Sequence, residues 1–562
     1  MKTTFAYDHY YPYAEYTAAL SKLCESYPDL VTLESLAKTE EGRDVFALTL
    51  SHKSGLPSSD KPAYYIDANI HAGEVTSTMT ALFTLDYLLT NHQDNQEIQQ
   101  LLRDYTFYII PRVSPDGAEQ YLIQHEKLRS VNRLYPHTEK QDGLHPEDID
   151  GDGVIRMMRI KTPYGPWKVS ALDPRLLSKR LPNDLHGDFY AVYPEGYIQN
   201  YDGTHITLAP NKWGLDFNRN FPFGWYSDVR QPGAGKYPLS NPETKALVDF
   251  VLAHPNIGFV STLHTTGGVL IYPPGTYSEK NAIPLDMKLY HDMGKLAKQL
   301  TGYETKNVFD EFLVDTDNYS SGAFDDWCYE TQGIPAYTIE LWDCLMRSGI
   351  AYDDIRSTHA SDYENEANNL KTLKWVDENL SDGFKPWTTI THPELGEVEV
   401  GGFDFKFVIQ NPPVQFLAQE VEKMGLYLTK SAFALPKLKL NSAKATPLGN
   451  SLYSLDLVIS NTGFMDTNLT QKALIQKVSA PVCVTLEGCT DLEGKAITLD
   501  LGQLQGFGSI ASHYGYDGIT TTGTNEQIKT IQCVVRSESA QIEITLTHPK
   551  AGTVKSSLSL VE

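Results

Sequence analysis

Two architectures are predicted in series along this chain of 562 residues: an α/β domain, then an all-β sandwich of immunoglobulin-like type. Helical and strand patterns alternate over the first 390 residues. From about Leu435 onward, short period-two runs recur between turn signals. The expected organisation is a first domain over 1–390 with an insertion at about 120–212, a connecting extension over 391–434, and the sandwich over 435–562.

Each element follows from local pattern. "AEYTAALSKLCES" (14–26) sets Ala18, Leu20, Leu23 and Cys24 at helical spacing. "DVFALTLS" and "AYYIDANI" read as strands, and "STMTALFTLDYLLTN" as a helix with Met79, Leu82, Phe83 and Leu89 inward. "IQQLLRDY" and "TFYIIPRV" repeat the helix-then-strand order. "SNPETKALVDFVLAHP" opens with a capping-box pattern, Ser240 to Glu243, with Pro242 in the first turn. "IGFVSTLH" is the next strand, "PLDMKLYHDMGKLAKQL" a helix, and "PAYTIELW" a buried strand. Regularity fails between about Gln120 and Lys212, where "HPEDIDGDGVIRMMRI" and many turn residues suggest an insertion over one face. "HPELGEVEVGGF" is turn-rich and "PPVQFLAQEVEKMGLYL" helical. "SLDLVIS", "VCVTLEG", "KAITLDL", "TIQCVVRS" and "QIEITLTH" are the sandwich strands.

Composition narrows the function classes. No apolar run approaches the 18 residues of a membrane span, so no membrane partner is expected. The N-terminus lacks a signal-peptide core, and six scattered cysteines without a CxxC favour reduced thiols. A cytoplasmic setting is the expectation, with a Cys483–Cys489 bridge left open. A net charge of −24 argues against a nucleic-acid partner, which would need clustered Lys and Arg.

Three predicted strands end in reactive side chains. "YIDANI" runs into His71 with Glu74 just after, "GFVSTL" into His264, and "AYTI" into Glu340. Open α/β sheets bind ligands outside the carboxyl ends of their strands. Two imidazoles and a carboxylate leave a fourth coordination position open on zinc, and another carboxylate could act as general base. Taken singly, each of the four has an ordinary alternative as a hydrogen-bonded or solvated strand-end residue.

Their neighbours complete a pattern. "HAGE" (71–74), "VSPDG" (113–117), "DFNRNF" (216–221), "YPLSNPET" (237–244), "TLH" (262–264), "SGAFDDW" (321–327) and "TIEL" (338–341) occur in this order. From Tyr10 to Trp387 the chain thus resembles the zinc metallocarboxypeptidases, the family of pancreatic carboxypeptidase A. The resemblance implies a mixed, largely parallel twisted sheet with helices on both faces. It further implies Zn2+ as cofactor and peptides as substrates. His71, Glu74 and His264 look like the zinc ligands, and Glu340 like the general base. Asn218 and Arg219 look like the pair that holds the substrate's terminal carboxylate, a task suited to a planar guanidinium. For the arginine that stabilises the oxyanion, Arg159 is the choice and Arg156 the second. Tyr319 aligns with the tyrosine that covers substrate, one residue short of the family spacing to Trp327.

Departures from the family are also legible. Gly73 stands where digestive members carry an arginine. "EYTAALSKL" opens the domain with no propeptide ahead, so zymogen activation is not expected. Asp325 is read either as a counter-charge for a C-terminal Lys or Arg or as a rim carboxylate. "DIDGDGVI" resembles half an EF-hand loop, with a calcium ion on Asp148, Asp150 and Asp152 or a metal-free turn as the two readings; Arg159 occupies the twelfth position, where a glutamate would serve. Rival functions on the same scaffold are an N-acyl amino acid deacylase, a murein-peptide amidase, and an inactive peptide-binding member.

Overall fold

The computed structural model describes residues 2–313, 315–317, 319–356, 362–514, 518, 520–523 and 526–560. "AYYIDA" and "IGFVSTLHT" are buried at every position, as strands covered on both faces must be. They lie at the centre of an eight-stranded sheet. Its strands are β1 (Val31–Lys38), β2 (Asp44–Leu50), β3 (Ala63–Ala68), β4 (Thr106–Ile110), β5 (Ile257–Thr265), β6 (Val269–Tyr272), β7 (Glu304–Asn307) and β8 (Ala336–Leu341). The spatial order is β1-β2-β4-β3-β5-β8-β6-β7. β4, β3, β5 and β8 run parallel, whereas β2 opposes both its neighbours and β6 opposes β8. This is the mixed, largely parallel sheet expected.

Two consecutive tyrosines show why both faces need helices, since successive strand side chains emerge on opposite sides. Tyr64 packs on Phe259 and bonds Ser261 at 2.7 Å, beside Tyr427 of the helix Val414–Ser431. Tyr65 faces the other way, onto Phe250 and Phe324 of the helices Pro242–Ala253 and Phe324–Gln332. The capping box expected from Ser240 does not form. The helix begins at Pro242 with Asn241 at its N-cap, and Ser240 Oγ instead accepts a bond from Asn220 Nδ2.

The irregular stretch folds into a layer of its own. Met157–Lys161, Trp167–Val169, Leu177–Lys179 and Phe189–Pro194 join Phe384–His392 and Gly396–Phe403 in a six-stranded antiparallel sheet. A boundary at 390 would cut one of these strands. Nor is 391–434 a connector: Leu417, Val421, Met424 and Leu428 of the helix Val414–Ser431 are buried in the main core, against the helix Val75–Asn91.

The calcium expectation gives way to an internal cation. Lys385 Nζ lies 2.5 Å from both Asp150 Oδ2 and Asp152 Oδ2. Asp148 gives both oxygens to the N–H groups of Gly151 and Gly153. Asp148, Asp150 and Glu195 do bring oxygens within 4.8 Å of one another, but Glu195 accepts from the backbone of Ile149 and Arg156. The ammonium supplies the charge a metal would have brought.

The C-terminal strands form the expected sandwich. Leu438–Gly449, Leu452–Asn461 and Ile528–Arg536 make one antiparallel sheet, and Ile497–Asp500, Cys483–Glu487, Gln541–His548 and Gly552–Ser559 the other. Alternation in "QIEITLTH" turns Ile542, Ile544, Leu546 and His548 inward. All six cysteines are free, so Cys483 and Cys489 are not bridged. Among the described residues no helix is long and apolar enough to cross a membrane.

Candidate active site

The carboxyl ends of β3, β5 and β8 open into a cleft of about 220 Å3. β3 ends at Ala68, and Asn69 follows at φ +59°. Its Nδ2 donates to the carbonyl of His71 at 2.6 Å, a local bond that lets an Asn occupy the left-handed region. The turn directs His71 into the cleft and leaves Glu74 at the start of the helix Val75–Asn91. Gly73, between them, is tightly covered: a Cβ there would lie 2.8 Å from Tyr121 and 2.9 Å from Gln410. Gln410 therefore fills the space beside the loop that an arginine side chain would need. In "VSPDG", Gly117 serves packing, since a Cβ would meet Ser130 O at 2.5 Å and Ala72 at 2.6 Å.

His264 on β5 is paired in register with Glu340 on β8, so both side chains emerge side by side. His71 Nδ1 lies 2.8 Å from Glu74 Oε1 and 3.2 Å from His264 Nδ1. His264 Nδ1 lies 2.9 Å from Glu74 Oε2. Ligands about 2.0–2.1 Å from one tetrahedral zinc stand about 3.3 Å apart, so the three groups already have close to that spacing. His71 Nε2 faces Asp216 Oδ1 at 3.0 Å. A carboxylate only accepts there, which puts the proton on Nε2 and leaves the Nδ1 lone pair for a metal.

Burial and neighbouring charge oppose each other around this trio. Burial pushes the Glu74 carboxyl up, but His71 and His264 override it and bring its pKa down to about 2. Asp216 is likewise opposed by burial, yet Arg129, His71 and Arg219 hold it well below the usual range. Burial lowers the pKa of His264, which favours the neutral ring a metal needs.

Arg129, Asn218, Arg219, Asp325 and Glu340 line the same cleft. Arg129 Nε donates to Asp216 Oδ2 at 2.8 Å. Arg219 is steadied by the carbonyl of Asn218 at 2.6 Å and by Ser320 Oγ at 3.0 Å. Asn218 Oδ1 accepts from the N–H of Phe324 at 2.9 Å, which turns its amide nitrogen the other way. This arrangement can bind a divalent metal, grip a carboxylate and offer a second carboxylate as base.

The zinc carboxypeptidase family matches residues 16–154 and 191–356, more than half of the sequence. The chain belongs to that family. Residues 437–559 match a domain of unknown function. Carboxypeptidase O from Homo sapiens is 26% identical over 353 residues, covering 60% of this chain and 72% of that protein. The inactive metallocarboxypeptidase ECM14 of Saccharomyces cerevisiae is 29% identical over 208 residues, covering 35% of this chain and 45% of its own. The solved structure of bovine thrombin-activatable fibrinolysis inhibitor with tick carboxypeptidase inhibitor covers 66% of this chain and 99% of its own, at 20% identity and a TM-score of 0.38.

The arginine expected to stabilise an oxyanion lies outside the cleft. Arg159 pairs with Glu399 at 2.8 and 3.0 Å and is stacked between Tyr190 and Trp387. Its strand belongs to the six-stranded layer, which turns it away from the metal ligands. Arg156 is bound to Asp152 in the same layer. The arginine that lines the cleft besides Arg219 is Arg129, whose carbonyl accepts the N–H of Ala72 at 2.6 Å. Its segment, "EKLRSVNR", has no periodic pattern, and a nearby cluster of basic residues was the one available signal. Tyr319 is not among the residues that line the cleft, although its neighbour Ser320 is; it is half-buried, with its ring centre 4.6 Å from Arg230. Asp325 is buried, with Oδ2 accepting from Thr338 at 2.9 Å.

Proposed function

We propose that this family member hydrolyses the C-terminal peptide bond of peptides, with zinc held by His71, Glu74 and His264. The observation that carries the reading is the convergence of that trio with Glu340, Arg129, Asn218 and Arg219 in one cleft. Zinc bound there supplies Lewis acidity and lowers the pKa of water. Arg219 and the Asn218 amide hold the substrate's terminal carboxylate, which fixes the last peptide bond beside the trio. Glu340 takes the proton of the attacking water and returns it to the leaving amine. Arg129 donates to the oxygen on which negative charge develops, and Asp216 keeps its guanidinium aimed. Tyr319 covers the bound residue from the rim.

The side-chain pocket sits between Ile271, Val308 and Phe312, with Asp325 in its wall. A buried carboxylate there favours a cationic side chain, so C-terminal Lys or Arg is the preferred residue. Burial raises the pKa of Asp325, and an entering ammonium or guanidinium would reverse that.

ECM14 is named inactive, whereas every group these roles require is present in this chain. Metal analysis combined with mass spectrometry of a peptide library tests the reading: zinc at one equivalent and loss of single C-terminal residues are expected. Glu340→Gln should keep zinc and lose at least about 100-fold in kcat. Turnover unchanged in that variant sinks the mechanism. Equal hydrolysis of hippuryl-Lys and hippuryl-Phe, or a preference unaltered by Asp325→Ala, sinks the assignment of the pocket.

A further inference from the structure

The six-stranded layer and the turn Phe405–Gln410 enclose a second cavity of about 510 Å3. Most of its wall comes from residues 155–177 and 369–409, outside the stretches that match the family. Trp167, Phe384, Trp387 and Phe405 give it an aromatic lining. Trp167 and Phe405 are each 36% exposed, and concave apolar surface left in water favours an occupant.

The charge of the lining is equally distinctive. The chain carries a net −24, yet the charged residues around the cavity are Lys127, Arg156 and Arg175, with no carboxylate among them. Arg175 is already held by Asp173 and Asp377. Among the described residues, Lys127 Nζ meets no acceptor at hydrogen-bonding distance and stands 3.7 Å from the centre of the Phe405 ring. Arg156 is 6% exposed and binds Asp152 through Nη1, but its buried Nε has no acceptor. A buried donor without a partner carries an uncompensated desolvation cost until an acceptor arrives. Burial lowers the Lys127 pKa to about 8 against the opposing pull of Asp404, so the ammonium stays mostly charged at neutral pH and a bound anion would raise its pKa again.

Two chain segments connect this cavity to the catalytic cleft. Lys127 lines the cavity and Arg129 the cleft, with at most about 7 Å of extended chain between their Cα atoms. Ile409 lines the cavity, and its neighbour Gln410 abuts Gly73 between His71 and Glu74. A peptide whose terminal carboxylate lies on Arg219 and whose scissile carbonyl lies on Arg129 continues past Arg129 toward its own N-terminus.

We propose that the cavity is a subsite for the upstream part of a peptide substrate, taking a large aromatic or apolar side chain and an adjacent acidic residue whose carboxylate reaches Lys127 and Arg156. The direction of the chain rests on the carboxypeptidase reading above.

The test uses the full-length protein and two N-acetylated octapeptides with the same last three residues, ending in the best-cleaved acyl dipeptide. One carries Phe and Glu in the five preceding positions, the other Ser and Lys. The Phe/Glu peptide should be cleaved with kcat/KM about tenfold higher. Lys127→Glu should abolish or invert that difference while acyl-dipeptide turnover stays unchanged, and Trp167→Ala should weaken it. Equal kcat/KM in the native protein, or a preference that survives both substitutions, overturns the subsite. Tryptophan fluorescence titration of the Glu340→Gln variant with the same peptides keeps the two readings separable. If native protein cleaves neither peptide but the Phe/Glu peptide binds more tightly and depends on Lys127, the subsite stands and the carboxypeptidase reading falls. Equal binding of the two peptides overturns the subsite.

Discussion

Two arginines 30 positions apart show how much a single residue's role depends on its surroundings. Arg159 has Nε and Nη2 committed to Glu399, and its guanidinium lies 4.5 Å from the ring centres of Tyr190 and Trp387. Arg129 donates to Asp216 and remains open to the cleft. Arg129→Ala should therefore lower kcat by about 100- to 1,000-fold with little change in KM, as loss of an oxyanion donor does. Arg159→Ala should leave kcat unchanged and show its effect in thermal unfolding. Steady-state kinetics of the two variants checks this, and equal losses of kcat would refute it. His548 gives a pH prediction at the same scale. Its Nε2 donates to the carbonyl of Ala480 at 2.8 Å, and its Nδ1 accepts from the N–H of Lys550, so a second proton would remove an acceptor. Burial lowers its pKa from 6.5 to about 4. The unfolded chain takes up the proton as pH falls through 6.5, the folded chain at about 4. Stability is thus intact above pH 6.5 and falls by on the order of 3 kcal/mol toward pH 4. Urea unfolding of the native protein and His548→Gln across that range should show a flatter profile for the variant.

At the scale of elements, the segment that follows the α/β alternation braces the loop that carries His71 and Glu74. Asn411 is fully buried. It donates to the carbonyl of Gly73 at 2.7 Å and accepts from the N–H and hydroxyl of Thr76 at 3.1 and 2.8 Å. It thereby ties down both sides of Glu74. Asn411→Ala leaves those groups unsatisfied, at a cost of about 1–3 kcal/mol, and should weaken zinc binding in a chelator competition; Asn411→Asp should retain the Thr76 bonds and lose the one to Gly73. Unchanged zinc affinity in both variants would show that the brace is dispensable. Local pattern gave no hint of this contact. "HPELGEVEVGGF" reads as turn-rich, but Glu399 pairs with Arg159 across 240 positions, and strand character of that kind comes from the partner rather than from propensity. The central strands were legible because burial on both faces demands continuous apolar runs.

For the whole molecule, the sandwich is docked rather than tethered. Lys550 Nζ donates to the carbonyl of Ile257 at 2.7 Å. Thr470 bonds Gly333 O, Asp286 accepts from the N–H groups of Gln471 and Lys472, and Lys472 pairs with Glu330 at 2.6 Å. Leu435, Met465 and Leu469 belong to the main core. Calorimetry should therefore record one unfolding transition for both domains, and truncation after Pro436 should lower the Tm of the remainder. Two separate transitions, or a truncated protein as stable as the full chain, would contradict this coupling.

The sequence by itself determined the α/β-then-β order, the strand ends that carry His71, His264 and Glu340, and the Asn218–Arg219 pair. These are set within a few residues, by hydrophobic period and by motifs whose members are adjacent. Only the tertiary structure decided that Arg129 faces the cleft, that Lys385 pairs with Asp150 and Asp152 in the Asp148–Asp152 loop, and that Asn411 braces Glu74. Each of those depends on segments up to several hundred positions apart meeting in space, and no local pattern encodes which of several like residues will be the one that arrives.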